Sequence, residues 1–180
     1  IHGARRHGKP FMELNFEVVT TPPRAAATVV MLRDGAAGLE VFLLKRHGLS
    51  DVMGGAYVFP GGKVDASDAQ LDMDAHLDQS PAALHARLNE PEIAPLTAAG
   101  LYVAALREAF EESGILFAQD ASPELVARAA ELLRAGQAFD AVLAQFGLRL
   151  HASRLLPWSR WITPKMPSVS KKRFDARFFV

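Results

Sequence analysis

One segment of the sequence places three glutamates on one side of a helix and bulky apolar residues on the other. At roughly 100° per residue, Glu111 and Glu112 lie within about 60° of Glu108 around the helix axis. Phe110 lies on the opposite side. Like charges three and four residues apart repel by a few tenths of a kcal/mol, so folding gains nothing from crowding them. A helix predicted over residues 98–112 must therefore pack by one face and present carboxylates on the other.

The three carboxylates have two interpretations. Hard divalent cations such as Mg²⁺ and Mn²⁺ prefer carboxylate oxygens, and one bound here would relieve the repulsion. The alternative is a solvated acidic face, which is the commoner reason for such a string when nothing else accompanies it. Acidic groups near the C-terminus of a helix also oppose its dipole, which favours a functional reason. The helix alone leaves both interpretations open.

The composition excludes several functional classes. The chain has 180 residues, enough for one domain, and its 20 Lys and Arg balance 20 Asp and Glu, so no basic field attracts nucleic acid. It has no cysteine, so disulfides and thiolate catalysis are excluded and a metal must use oxygen or imidazole ligands. No apolar run approaches the ~20 residues that span a bilayer. A cytoplasmic protein without nucleic-acid or membrane partners is expected.

Strand patterns lie towards both ends of the chain, and helix patterns lie between them. Asp34 and Gly35 form a turn signal that predicts a hairpin between the first two strands, and Pro60 to Gly62 is expected to stop the third. The class is α+β, with a mixed sheet between helices. The predicted strands are 25–31, 39–44, 56–59, 155–163 and 173–180, and the predicted helices are 81–89, 98–112 with Thr97 as N-cap, 122–134 and 139–146.

Two sequence motifs accompany the carboxylates. Residues 107–115 read Arg-Glu-Ala-Phe-Glu-Glu-Ser-Gly-Ile, and earlier in the chain Phe59-Pro60-Gly61-Gly62 is followed, after five residues, by Asp68. These motifs resemble the two halves of the Nudix box, Gly-x5-Glu-x7-Arg-Glu-U-x-Glu-Glu-x-Gly-U, where U is bulky and aliphatic. The chain departs from it in having Asp68 for a glutamate and thirty-eight residues, rather than seven, between the halves.

The extra length is interpreted as an insertion, because a surface connection tolerates added residues at small cost in closure entropy. A Nudix branch related to acyl-CoA diphosphatases has a similar insert, a similar glycine segment and a similar stretch to residues 171–179. The resemblance implies a Nudix α/β/α sandwich over residues 25–180 with a helical insertion at about 69–95, which is expected to be peripheral. Residues 1–24 are expected to be an N-terminal extension. Whether residues 1–11 are native, and whether the natural chain continues past Val180, is left open.

The resemblance also implies roles for individual residues. Arg107 is expected to orient a glutamate, and Asp68 to cap the glycine loop rather than bind metal. Glu111 or Glu108 is the candidate general base, and the choice stays open. Trp158 and Trp161 are expected to be core or partly buried rather than to stack on a nucleobase. The implied metal ligands are Glu108, Glu111, Glu112 and the Gly61 carbonyl; the catalytic residues are Glu111, Glu108 and Arg107; the substrate-binding residues are Arg46, Gly61 and Gly62.

The implied reaction is hydrolysis, dependent on Mg²⁺ or Mn²⁺, of the diphosphate linkage in a small nucleoside-diphosphate derivative. The favoured substrate is CoA or acyl-CoA. The alternative within this class is a nucleotide-sugar, dinucleotide or nucleoside triphosphate pyrophosphatase. The alternative of another class is a non-catalytic Nudix-like module that binds a ligand or a protein. A homodimer is left open.

Overall fold

The structure, a computed structural model, describes residues 18–46, 55–166 and 172–180. The expected extension therefore lies largely outside the described residues, as does Lys171 in the C-terminal stretch. The helices of the described part are α1 (Met73–His76), α2 (Pro81–Leu88), α3 (Pro95–Ser113), α4 (Pro123–Arg134) and α5 (Phe139–Phe146). Its strands are β1 (Arg24–Val29), β2 (Leu32–Gly35), β3 (Gly38–Val41), β4 (Leu44–Lys45), β5 (Tyr57–Val58), β6 (Gly61–Lys63), β7 (Pro157–Ile162) and β8 (Phe174–Phe179).

Four of the strands form a mixed sheet in the order β6-β1-β8-β7. The central pair, β1 and β8, is parallel, and the two outer pairs are antiparallel. Ala27 lies opposite Gly62 on one side and Arg177 on the other, so these three residues share one face of the sheet. That face is the one covered by α3. A mixed sheet with five helices in the described part confirms the predicted α+β class.

The central helix of the fold is α3, which contacts β1, β6 and α2. It begins at Pro95, with Ala94 as its N-cap, and not after Thr97 as predicted. Proline is well tolerated at the first helical position, where its missing N–H would have had no partner, so the helix gains almost a turn. Small residues let neighbouring elements approach closely: a Cβ on Gly100 would lie 3.1 Å from the Ala69 Cβ.

The prediction that the insert at 69–95 is peripheral is wrong. Leu84 is fully buried, and Leu71 and Leu88 are 7% and 8% exposed within the main hydrophobic core. Leu84 and Leu88 are one turn apart on α2, so both point the same way, and α2 packs directly on α3. The insert does contain helices, as expected, but it builds one wall of the core because it carries its own apolar face.

Two strand predictions near the glycine loop are also corrected. The hairpin joins β2 to β3, while the first predicted strand, β1, pairs with β6 and β8 instead. Ala26 and Ala27 are both buried on β1, which indicates that the strand is covered on both faces, as a central strand is. Gly61 and Gly62, which together with Pro60 were expected to stop a strand, lie with Lys63 in β6 at the sheet edge.

The opposite edge of the sheet is β7, and it carries the two tryptophans. Trp158 and Trp161 are each 67% exposed, so the expectation that they lie in or near the core is wrong. An edge strand has a neighbour on one side only, so its large side chains can remain uncovered. In the described part of the chain, no helix is long and apolar enough to cross a membrane.

Candidate active site

The glycine segment and the carboxylate helix meet in space, as predicted. The Gly61 backbone N–H donates a hydrogen bond to Glu112 Oε2 at 2.9 Å, although fifty-one residues separate them. A Cβ built on Gly62 would collide with the Glu108 carboxylate. Gly62 therefore leaves the space that this carboxylate occupies beside β6, and the two half-motifs form one site.

The side chain that ties the site together is Arg107, only 7% exposed. Its Nε and Nη2 donate to the two oxygens of Asp68 at 2.8 and 3.0 Å, a bidentate pair. Its Nη1 donates to Glu108 Oε1 at 2.9 Å and to Glu111 Oε2 at 3.2 Å. A further bond from Nη2 reaches the Lys63 carbonyl at 3.1 Å. Arg107 thus points at carboxylates, as expected, and fixes two of the three helix glutamates.

Asp68 has a structural role, but it caps the 3-10 helix after β6 and not, as predicted, the glycine loop itself. It is 2% exposed and lies in the 3-10 helix Ala66–Ala69, where Asp65 is the N-cap. The Asp65 N–H donates to Asp68 Oδ2 at 2.8 Å, one half of a capping box between the two residues. Both oxygens of Asp68 therefore already accept hydrogen bonds, from the Asp65 N–H and from Arg107. Asp65, whose Oδ2 lies 3.7 Å from Arg107 Nη2, was not predicted as a site residue, although its Asp-x-x-Asp spacing from Asp68 signals this cap.

Negative charge is crowded at the site. Burial raises the pKa of Glu108 above its usual value, the charge and hydrogen bond of Arg107 oppose that shift, and the charge of Glu111 adds to it. Burial likewise raises the pKa of Glu112, against the hydrogen bond from Gly61 and the charge of Arg46. Arg46, the predicted substrate-binding cation, directly follows β4. Its charge acts on Glu112, so it lies near the carboxylates.

The donor set fits a hard divalent cation by its chemistry. It offers three carboxylates on one helix beside a glycine strand, and burial works against the negative charge of Glu108 and Glu112. Within the described residues, however, no three acidic, histidine or cysteine side chains are already arranged to hold a metal. Glu108 Oε1 and Glu111 Oε2 accept from Arg107, and Glu112 Oε2 accepts from the Gly61 N–H, so one oxygen of each carboxylate already has a protein partner.

A polar cavity of about 250 Å³ opens beside Arg107 and Glu111. Its walls also include Asp65, Asp68, Gln137 from the connection between α4 and α5, and Asp140 from the first turn of α5. The last two residues were not predicted, because they lie more than twenty residues after the motif and no local pattern marks them. They show that the segment after the motif contributes to the surroundings of the site.

The fold and the site together define the class of protein. It is the Nudix class, in which a glycine segment lies beside the carboxylates of one helix. The family model described as "NUDT19 Nudix domain" matches residues 17–180, and the chain belongs to this family.

Several proteins are similar to the chain. It is 26% identical over 189 residues to "Acyl-coenzyme A diphosphatase NUDT19" of Xenopus laevis, covering 82% of the chain and 48% of that protein. It is 29% identical to the Gallus gallus protein of the same description, covering 81% and 49%. It is 26% identical to "Putative nudix hydrolase 7" of Caenorhabditis elegans, covering 90% and 45%. The chain therefore spans about half the length of the curated relatives it matches.

A solved structure also resembles the chain. The crystal structure of a Nudix hydrolase from Alicyclobacillus acidocaldarius superposes with a TM-score of 0.66 at 32% sequence identity. The match covers 89% of this chain and 69% of that one. The similarity therefore extends well beyond the two motifs to the fold that positions them.

Proposed function

We propose that the protein is a divalent-metal-dependent Nudix hydrolase that cleaves the diphosphate linkage of a nucleoside-diphosphate derivative. The observation that carries this proposal is the contact of the glycine strand with the carboxylate helix, through the Gly61 N–H and Glu112. Folding alone does not explain why three glutamates should crowd together at this contact, since their repulsion costs stability. A cation and a phosphate substrate would explain it.

The metal ligands that we propose are Glu108, Glu111 and Glu112, with the Gly61 carbonyl. Mg²⁺ or Mn²⁺ is the expected ion, because both prefer oxygen donors. When bound, such an ion polarises the bridging phosphate and lowers the pKa of a water molecule.

The residues of the chain supply binding, orientation and a proton acceptor. Gly61 and Gly62 leave the backbone free of side chains beside the carboxylates, so a diphosphate can approach closely. Arg46, whose charge acts on Glu112, is the candidate partner of a phosphate oxygen. In the reaction, a water oxygen bonds to phosphorus, the bridging P–O bond breaks, and the water proton passes to Glu111 or Glu108 as base. Arg107 holds both candidate bases in place.

The substrate that we favour is CoA or acyl-CoA. Support comes from two relatives that are described as acyl-coenzyme A diphosphatases. Hydrolysis of CoA at its diphosphate gives 4′-phosphopantetheine and adenosine 3′,5′-bisphosphate, and an acyl-CoA gives the corresponding acyl product. The ligand is thus a small molecule with a phosphorylated nucleoside at one end and a long uncharged arm at the other.

The test is a substrate panel on the wild-type protein and on Glu112→Gln. CoA, ADP-ribose and nucleoside triphosphates are incubated with Mg²⁺, with Mn²⁺ or with excess EDTA, and the products are separated by chromatography. We expect metal-dependent cleavage of CoA and a loss of at least about 10²-fold in turnover for Glu112→Gln, because a carboxylate of the site is lost and no core atom is. Glu131→Gln, on the exposed side of α4, is the matched control and should retain activity.

The panel also separates the alternatives. Preferential cleavage of ADP-ribose or a nucleoside triphosphate would replace CoA by a nucleotide-sugar, dinucleotide or triphosphate substrate. Binding of these ligands without cleavage by any of them would indicate a non-catalytic module. Full activity in EDTA, or in Glu112→Gln, would remove the proposed mechanism.

A further inference from the structure

A second cavity lies on the other side of Glu111, where α3 and α4 end. Its volume is about 410 Å³, within the range of roughly 300–1,000 Å³ typical of small-molecule sites. Phe110, Ala130 and Leu133 form its apolar walls, and Arg134 and Gln137 are polar residues of its lining. All of these residues except Phe110 belong to α4 or the turn after it, outside the Nudix motif.

This cavity adjoins the polar cavity of the candidate active site. Glu111 and Gln137 line both it and the polar cavity that contains Arg107, so they form a common wall. A ligand with its diphosphate at the carboxylates would have to extend past Glu111 to occupy this cavity. The two cavities nevertheless differ in character, because the first is lined by four carboxylates and one guanidinium, and the second by one of each.

The chemistry of the second cavity favours an uncharged occupant. Both helices that form it end there, at Ser113 and Arg134, and the C-terminal end of a helix carries partial negative charge, which disfavours a phosphate group. Within the described residues, Arg134 makes no hydrogen bond or ion pair, so its guanidinium is available to a carbonyl oxygen of a ligand. An apolar chain that carries amide groups suits the apolar walls, the Arg134 guanidinium and the polar side chain of Gln137.

We infer that this cavity, defined by Phe110, Glu111, Ala130, Leu133, Arg134 and Gln137, binds the uncharged, amide-bearing arm of the diphosphate substrate. The inference rests on the proposed function and adds to it the orientation of the bound substrate. The phosphorylated nucleoside lies on the side of Arg46 and the glycine strand, and the arm lies on the side of α4. The α4 segment then determines which diphosphates the enzyme selects, while the carboxylates cleave them.

The experiment fills the cavity from α4. Ala130 is half-buried and lines it, so Ala130→Phe occupies the space, and Ala130→Leu is a milder variant in case the larger one folds poorly. Ala127→Phe is the matched control, since Ala127 is exposed on the same helix and does not line the cavity. Circular dichroism and thermal melting establish that each variant is folded. Kinetics are measured with CoA and ADP-ribose, and binding of CoA and of adenosine 3′,5′-bisphosphate is measured by calorimetry without metal.

We expect Ala130→Phe to raise KM and Kd for CoA by about 10-fold or more, and to change ADP-ribose kinetics and bisphosphate affinity by less than about twofold. Ala127→Phe should resemble the wild type. The inference would be overturned if Ala130→Phe weakened the binding of CoA and of adenosine 3′,5′-bisphosphate equally. It would also be overturned if the folded variant bound CoA as tightly as the wild type. If the wild type cleaves no diphosphate, the proposed function fails. The binding comparison still decides the inference: a selective loss of CoA affinity supports it, and no CoA binding by the wild type overturns it.

Discussion

Asp68→Asn removes the negative charge of the buried partner of Arg107 while keeping its size. Asp68 is 2% exposed and accepts both hydrogen bonds of the bidentate pair, at 2.8 and 3.0 Å. Removing one member of such a pair leaves the other charge buried without compensation, which costs about 3–5 kcal/mol. The remaining bonds of Arg107 to Glu108 and Glu111 offset part of this, so the lower end of that range is expected.

For a domain of this size, a loss of about 3 kcal/mol corresponds to a fall in Tm of roughly 6–12 °C. The measurement is urea denaturation followed by circular dichroism, with thermal melting as a second readout. Asp65→Asn is the control: its carboxylate side chain is 40% exposed and 3.7 Å from Arg107 Nη2, and such exposed pairs contribute about 0–1 kcal/mol.

Asp68→Glu tests the same site by length rather than charge. It restores the residue that the Nudix box has at this position, but it adds a methylene where no space is open to solvent. We expect it to be less stable than the wild type by about 1–3 kcal/mol. A free energy of unfolding for Asp68→Asn within about 1 kcal/mol of the wild-type value would instead show that Asp68 does not keep Arg107 charged and oriented.

Three further predictions concern other parts of the molecule. The hydroxyl of Tyr102 is buried without a hydrogen-bond partner in the described part of the chain, and burial raises its pKa to about 12; Tyr102→Phe should therefore raise the free energy of unfolding in urea by about 1 kcal/mol, and a clear loss would reveal a hidden partner. Gly62→Ala should lower kcat/KM by at least about 10-fold in a folded protein, because its Cβ displaces Glu108; unchanged kinetics would contradict this. The hydrogen bond from Arg160 lowers the pKa of Asp175 below 3.8, so this carboxylate stabilises the fold above that pH and the benefit disappears as pH falls through the lowered value. The difference in unfolding free energy between wild type and Asp175→Asn should therefore shrink below about pH 4, and a constant difference would refute the assignment.

The sequence predicts best those elements whose signals are local. Ser80 and Ser122 accept hydrogen bonds as the N-caps of α2 and α4, and Gly147 ends α5 in the left-handed conformation, all close to the predicted bounds. These boundaries depend on a few consecutive residues, so periodicity and capping rules suffice. The carboxylate helix was recognised for the same reason, since its pattern lies within nine residues.

What the sequence could not provide depends on contacts between distant segments. The amino-acid sequence of β6 does not show that Gly61 and Gly62 pair with β1 rather than end a strand. The insert is buried because α2 packs on α3. Trp158 is exposed because β7 is the edge of the sheet. At the site, the motif residues were predicted together, but Gln137 approaches Glu111 only through the packing of α4 and α5.

The parallel pairing of β1 with β8 also has a consequence for biosynthesis. Arg24 lies opposite Phe174, so the central ladder of the sheet joins segments that are 150 residues apart. At roughly 5–20 residues per second, a ribosome needs about 8–30 s between delivering these strands. During that interval β1 has only the three-residue strand β6 beside it, and its other edge offers free N–H and C=O groups to any passing strand. Nascent chains are therefore most exposed to mispairing and chaperone capture before β8 emerges.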